Sequence, residues 1–148
     1  VVTAASSARD CSIAAVSVNF GAYDPFATSP DDSVGTVTLT CRHVSGGAER
    51  INYTVMLANG LYGTSPTTRR MGAGTGRLGY NVFRDPARTQ VWGNGTGGTV
   101  IASGSMTVGP GVGNGTQTVT HSVYGRIPQL QDAVPGTYND TMVLTLTF

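Results

Sequence analysis

Hydrophobic and polar residues alternate one for one in a succession of short stretches along this chain. That is the side-chain period of a β-strand with one buried face. The clearest stretch spans residues 141–148. There Met142, Leu144, Leu146 and Phe148 share one face, and Thr141, Val143, Thr145 and Thr147 the other. The pattern runs to the last residue, where an unstructured tail more commonly follows a domain's final element. A strand in that position is expected to be integral to the core or to be gripped by another element. Val16, Val18 and Phe20 alternate with Ser17 and Asn19; Val37, Leu39 and Cys41 alternate with Thr36, Thr38 and Thr40. Ile51, Tyr53, Val55 and Leu57 alternate with Asn52, Thr54, Met56 and Ala58. Shorter runs at 78–83, 99–108 and 116–124 complete the set.

Between these runs lie 60–76, 93–98 and 109–115, which are too rich in glycine to persist as helix. No helical period of useful length appears. Strands of this number separated by turn signals predict an all-β fold, a β-sandwich. Gly93-Asn94-Gly95-Thr96 recurs as Gly113-Asn114-Gly115-Thr116 with unrelated flanks, which indicates two similar turns and not a repeat.

Composition sharpens this picture. The 148 residues suffice for one domain with a single core. Charged residues make up 11%, well below the usual quarter, and the nine basic residues are all arginine. Net charge is +1 with no basic run, so the linear positive stripe of a nucleic-acid protein is absent. No apolar stretch reaches the length of a membrane span, so no membrane insertion is expected. Low charge with abundant glycine and threonine fits an exported, durable protein.

Cys11 and Cys41 each flank an alternating run in a lysine-free, β-rich chain. They read as one disulfide formed in an oxidising compartment, the alternative being two buried free thiols. Such a bridge would stabilise by about 3–4 kcal/mol in the chain-entropy account. Two cysteines so far apart, with no CxxC and no nearby histidine pair, do not complete a metal shell.

Motifs for catalysis are sparse. His43 and His121 are isolated in sequence, and neither a nucleophile elbow nor an HExxH motif is present. A triad can still assemble in space, which leaves a secreted hydrolase as a remote class. Asp31-Asp32 reads as a solvated turn beside Pro30. Gly72, Gly74 and Gly76 lack the lysine and helix of a phosphate loop. No cofactor is implied. Around Tyr80-Asn81-Val82-Phe83-Arg84-Asp85 and the sole tryptophan, Trp92, the plain expectation is that Phe83 and Trp92 fill the core edge while Asp85 pairs with an arginine. Tyr23 and Phe26 around Pro25, and Leu61-Tyr62 in a glycine loop, are candidates for an exposed adhesive surface.

An ordered set of motifs carries a family resemblance. It comprises Cys11 ahead of Asn19-Phe20-Gly21-Ala22-Tyr23-Asp24-Pro25, then Gly35-Thr36-Val37-Thr38-Leu39-Thr40-Cys41, then Arg69-Arg70-Met71 followed by Leu78-Gly79-Tyr80-Asn81-Val82-Phe83-Arg84-Asp85. It continues through Ala87-Arg88-Thr89, Trp92-Gly93, Val123-Tyr124-Gly125-Arg126-Ile127-Pro128 and Pro135-Gly136-Thr137-Tyr138-Asn139-Asp140-Thr141. Together these resemble the spore coat protein U domain, the pilin-like module of archaic chaperone–usher pili.

The resemblance implies an immunoglobulin-like, pilin-type sandwich that lacks a strand and is completed by a donor strand. Residues 1–10 would then be an N-terminal extension and 11–148 the domain. Met142, Leu144, Leu146 and Phe148 become the candidates for the acceptor groove. The donor candidates are Val1, Val2, Ala4, Ser6 and Ala8, whose mostly small side chains would fill pockets shallowly. Implied partners are other pilin subunits, identical or not, a periplasmic chaperone and an outer-membrane usher. The implied location is an extracellular fibre on the cell surface, supporting attachment and biofilm formation. A tip adhesin domain, which accepts a strand and donates none, and a stand-alone secreted coat protein of the same fold are the alternatives.

Overall fold

The computed structural model describes residues 9–148, and its regular structure is antiparallel strands with a short 3-10 turn at Gly113–Gly115. They are β1 (Arg9–Val16), β2 (Asp31–His43), β3 (Glu49–Leu57), β4 (Arg70–Ala73), β5 (Gly76–Gly79), β6 (Asn81–Phe83), β7 (Ala102–Val108), β8 (Thr116–Ile127) and β9 (Leu144–Thr147). Four strands pair in the order β1-β2-β8-β6 and three in the order β7-β3-β9, while β4 and β5 form a hairpin.

The alternation seen in the sequence sets the two faces. Val37, Leu39 and Cys41 on β2 meet Ile51, Tyr53, Val55 and Leu57 on β3 across a core closed by Val123, Val108 and Leu146, all buried. The same strands turn threonines outward. Thr38 and Thr120 pair hydroxyl to hydroxyl across β2 and β8 at 3.1 Å, as do Thr40 and Thr118, the cross-strand contact expected of aligned hydroxyls.

Cys11 and Cys41 sit directly opposite each other on β1 and β2 and are joined by a disulfide with a sequence separation of 30. The bridge fixes an edge strand to the strand at the heart of its sheet. Trp92 is fully buried, and its indole N–H donates to the Val55 carbonyl at 3.0 Å.

Several sequence expectations are corrected. The first strand is not the 16–20 run. Val16 ends β1, and the segment after it leaves the sheet edge to cross the inner face of β2 and β8. A Cβ at Gly35 or Gly125 would collide with Val16, Val18 or Phe20, so these two glycines form the track on which the segment lies. Phe83 does not enter the core, because the alternation of β6 turns Val82 inward and Phe83 outward. Asp85 pairs with no arginine among the described residues. It accepts from the backbone N–H groups of Thr89 and Gln90 and from the Thr89 hydroxyl, closing its own turn. Asp31-Asp32 is not a turn but the start of β2. There Asp32 takes a bidentate pair of hydrogen bonds from Arg126, at 2.7 and 2.8 Å, and lies 3.2 Å from Arg88.

Candidate functional site: a cavity between two open strand edges

β9 pairs with β3 on one side and with no other strand among the described residues; β1 likewise pairs only with β2. Two strand edges, one from each sheet, therefore border the same flank of the sandwich. Unpaired backbone groups along such edges are a ready template for another strand.

Between the ends of these strands lies a cavity of about 370 Å³. Its apolar wall is built by Leu57, Met71, Val82, Val123, Met142 and Leu144, and its mouth is bordered by Ala15 and Val16 of β1. Val18 and Phe20 line it as well. They also border an adjoining cavity of about 750 Å³, reached under Tyr23, Leu78 and Ile127. The segment on its glycine track thus lines both cavities.

A polar hinge fixes the wall. The Tyr80 hydroxyl donates to Asp140 Oδ2 at 2.6 Å, while Asp140 Oδ1 accepts from the backbone N–H of Leu61 and of Thr141, each at 2.8 Å. Burial pushes the Tyr80 phenol upward, and the hydrogen bond to the Asp140 carboxylate adds to that, so it stays a donor. Beneath it Arg69 is 1% exposed. Its guanidinium donates to the carbonyls of Leu57, Ala58 and Trp92 and, at 2.7 Å, to Asn81 Oδ1. Desolvation lowers this arginine to about 10, so it remains charged at neutral pH. One side chain thereby ties β3, β6 and the Trp92 turn behind the cavity.

A second, partly buried cluster lies further along the core. The Tyr53 hydroxyl and His121 Nε2 are 3.0 Å apart, and Arg84 stacks over the Trp92 ring at 5.0 Å with its Nη1 3.4 Å from His121 Nδ1. Burial first, and the Arg84 charge second, lower the histidine pKa, so it is held neutral. His43 bonds the Gly46 carbonyl in a turn. Among the described residues neither histidine has a nucleophile and a carboxylate arranged around it. Among the described residues no group of three or more His, Cys, Asp or Glu side chains is placed to hold a metal, and no helix is long and apolar enough to cross a membrane.

The candidates from the sequence fall as follows. Met142 and Leu144 line the cavity, Leu146 is buried between the sheets opposite Val55, and Phe148 borders a separate shallow depression with Asn52, Thr54 and Ser103. Val1, Val2, Ala4, Ser6 and Ala8 lie outside the described residues. Tyr23 is tethered, its hydroxyl donating to the Pro128 carbonyl and accepting from the Gln131 N–H. Tyr62 lies flat over Gly72, in space that a Cβ would fill, with the Arg77 guanidinium 4.4 Å above the ring. Phe26 and Leu61 stand out at 86% and 68% exposure. Sequence reasoning missed Arg69, Tyr80 and Asp140 as a unit. The available signal was a charged residue inside an otherwise strand-like motif.

Comparison with known proteins agrees with this architecture. A family model described as the Spore Coat Protein U domain matches residues 1–145. A protein of Myxococcus xanthus named Protein U is 34% identical over 143 residues, covering 88% of this chain and 71% of the relative. Among solved structures, a chain of the CsuC–CsuE chaperone–tip adhesion subunit pre-assembly complex, from the archaic chaperone–usher Csu pili of Acinetobacter baumannii, matches with a TM-score of 0.50 and 26% identity. That match covers 95% of this chain but 40% of the other, so the present chain spans well under half of that protein's length.

Proposed function

The chain belongs to the spore coat protein U domain family, and from that premise we propose that it is a non-enzymatic, secreted structural subunit. It polymerises into a surface fibre when a strand from a neighbouring subunit is added to its open flank. The observation that carries this reading is the pair of unpartnered edges, β1 and β9, on either side of the apolar cavity at Leu57, Met142 and Leu144. A strand laid there would gain backbone hydrogen bonds from an edge and bury alternate side chains in the cavity.

Geometry supports a head-to-tail arrangement. β1 begins at Arg9, opposite His43, and runs to Val16, opposite Thr36, at the cavity mouth. The eight residues of β1 separate these ends by roughly 25 Å. β1 therefore begins at the pole opposite the cavity, where a donor extension would join it. Donor and acceptor at opposite poles form a heterologous contact that propagates instead of closing. In this reading residues 1–10 are the donor extension and 11–148 the accepting body. The open flank is held by a periplasmic chaperone until an outer-membrane usher delivers the next subunit.

The test is gel electrophoresis in SDS of natively secreted material, unheated beside boiled, for the intact chain and for one lacking residues 1–8. The reading expects a ladder that collapses on boiling, and its loss in the truncated chain with the domain still folded. Unchanged assembly without residues 1–8, or a folded intact chain that runs as a monomer in both lanes, overturns the shaft assignment.

The exposure of Phe26 and Leu61 supports a second reading, a tip domain that accepts a strand and adheres through these loops. Adhesion to plastic that survives Phe26→Ser with Leu61→Ser excludes it.

A further inference from the structure

At the β6 end of the sheet whose other end is β1, the outer surface of β6 and β8 meets the β4–β5 hairpin around a concavity of about 590 Å³. Four of the chain's nine arginines line it, namely Arg69, Arg70, Arg77 and Arg126, and no carboxylate among the described residues does. Strand register explains the gathering. Gly72 stands opposite Arg77 and Arg70 opposite Gly79, so both arginines share the outward face of the hairpin while Met71 and Leu78 turn inward. Asn81 stands opposite Arg126 on the outward face of β6 and β8, with Phe83 two residues on.

Two of these guanidinium groups are held in place with N–H groups to spare. Arg77 donates through Nη1 to the carbonyls of Gly74 and Gly76 and stacks on Tyr62, which leaves its Nε and Nη2. Arg126 uses Nε and Nη2 on Asp32, which leaves Nη1. The Arg70 side chain is exposed and has no hydrogen-bond or ion-pair partner among the described residues. Arg69 contributes its charge from beneath, where it is bonded to carbonyls and an amide and to no carboxylate. Preorganised donors bind at lower entropic cost than free side chains, and guanidinium forks match a planar carboxylate.

We propose that this pocket binds the carboxylate-bearing sugars of an acidic polysaccharide, with Arg70, Arg77 and Arg126 on the carboxylate and Phe83 beneath a sugar ring. A single concavity of this size suits a ligand of a few rings better than the phosphate track of a nucleic acid, which needs an extended positive stripe. The site lies at the β6 edge and takes no lining residue from β1 or β9, so strand addition at those edges leaves it open. Where subunits polymerise as proposed above, each repeats the pocket, and weak single sites sum along the fibre.

The test is calorimetric titration of the secreted protein with a size-defined oligo-uronate, a neutral oligoglucoside of equal length and a short DNA duplex, at low and raised salt. Monomeric and polymeric fractions are titrated separately, so a chain that never polymerises still tests the pocket. The expected result is saturable oligo-uronate binding that weakens with salt, and none of the neutral sugar. Arg70→Glu should lower affinity by about tenfold or more, the scale of one charged hydrogen bond. Arg77→Gln should lower it less. Arg50→Glu, the same charge change on the other sheet, should leave it within about twofold because distant charges are screened. Absence of oligo-uronate binding by the folded protein overturns the proposal. So do equal losses in Arg70→Glu and Arg50→Glu, which would indicate net charge alone, or DNA binding as tight as that of the oligo-uronate.

Discussion

The hydroxyl of Tyr80 donates to the carboxylate of Asp140 at 2.6 Å across 60 residues of sequence, and this bond holds together the wall that carries Met142. Tyr80→Phe removes the donor but leaves Asp140 its two backbone N–H partners. A loss of about 1.5–3 kcal/mol is expected, the range for a hydrogen bond to a charged group. Asp140→Ala should cost more, because it strands the Leu61 and Thr141 N–H groups as well. Urea unfolding of both variants checks the order; equal or reversed losses would contradict it.

Removing the Cys11–Cys41 bridge by Cys41→Ser should lower stability by about 3 kcal/mol under oxidising conditions. Dithiothreitol should lower the parent chain by a similar amount and leave the variant unchanged. Two free thiols in the mass spectrum of native material would refute the premise.

Gly125→Val places a branched side chain where Val18 and Phe20 lie, with Val18 Cγ1 2.5 Å from the position of a Cβ. Overpacking here should cost about 1–3 kcal/mol and lift the 17–20 segment off the sheet. Loss of the edge-on contact between the Phe20 and Tyr80 rings, whose centroids are 6.3 Å apart, would appear in the NMR shifts of the Tyr80 ring. Unperturbed Tyr80 resonances would mean the segment stays seated.

His121 predicts a pH dependence with a definite sign. Its folded-state pKa lies below the ordinary 6.5, first through burial and second through Arg84. Below 6.5 the unfolded chain therefore binds a proton that the folded chain refuses. Stability is complete above that pH and declines as pH falls toward the depressed folded value, then levels off. The residues facing the ring are Tyr53, Arg84 and Trp92, none of which titrates in that interval. His121→Gln should flatten this part of the stability profile, as measured by thermal unfolding between pH 5 and 7.

Most strands were legible because alternation is a local signal and both sheets have one wet face. Ile51, Tyr53, Val55 and Leu57 are buried as their spacing required, and exposure alternates from Thr141 to Phe148. What was not legible depended on tertiary contacts. The 16–20 run alternates better than β1, yet its partner is a pair of glycines on the sheet's inner face, and no sequence window contains both. β4 was hidden in glycine-rich sequence, because a four-residue strand is defined only by the pairing of Met71 with Leu78. The arginine pocket was invisible for the same reason. Arg70, Arg77 and Arg126 form no run, and only the hairpin and β8 bring them to one rim.

The position of the disulfide has a mechanical meaning. In a fibre joined through the segment before Arg9, tension enters each subunit at the start of β1, an edge strand held by eight register pairs. Pulled along its length, such a ladder is loaded in shear. Cys11 lies at the third of those pairs, so the load passes into β2 through a covalent bond before the remaining rungs bear it. From β2 it spreads into β8, with which β2 shares twelve register pairs, before it reaches the flank that holds the next subunit's strand.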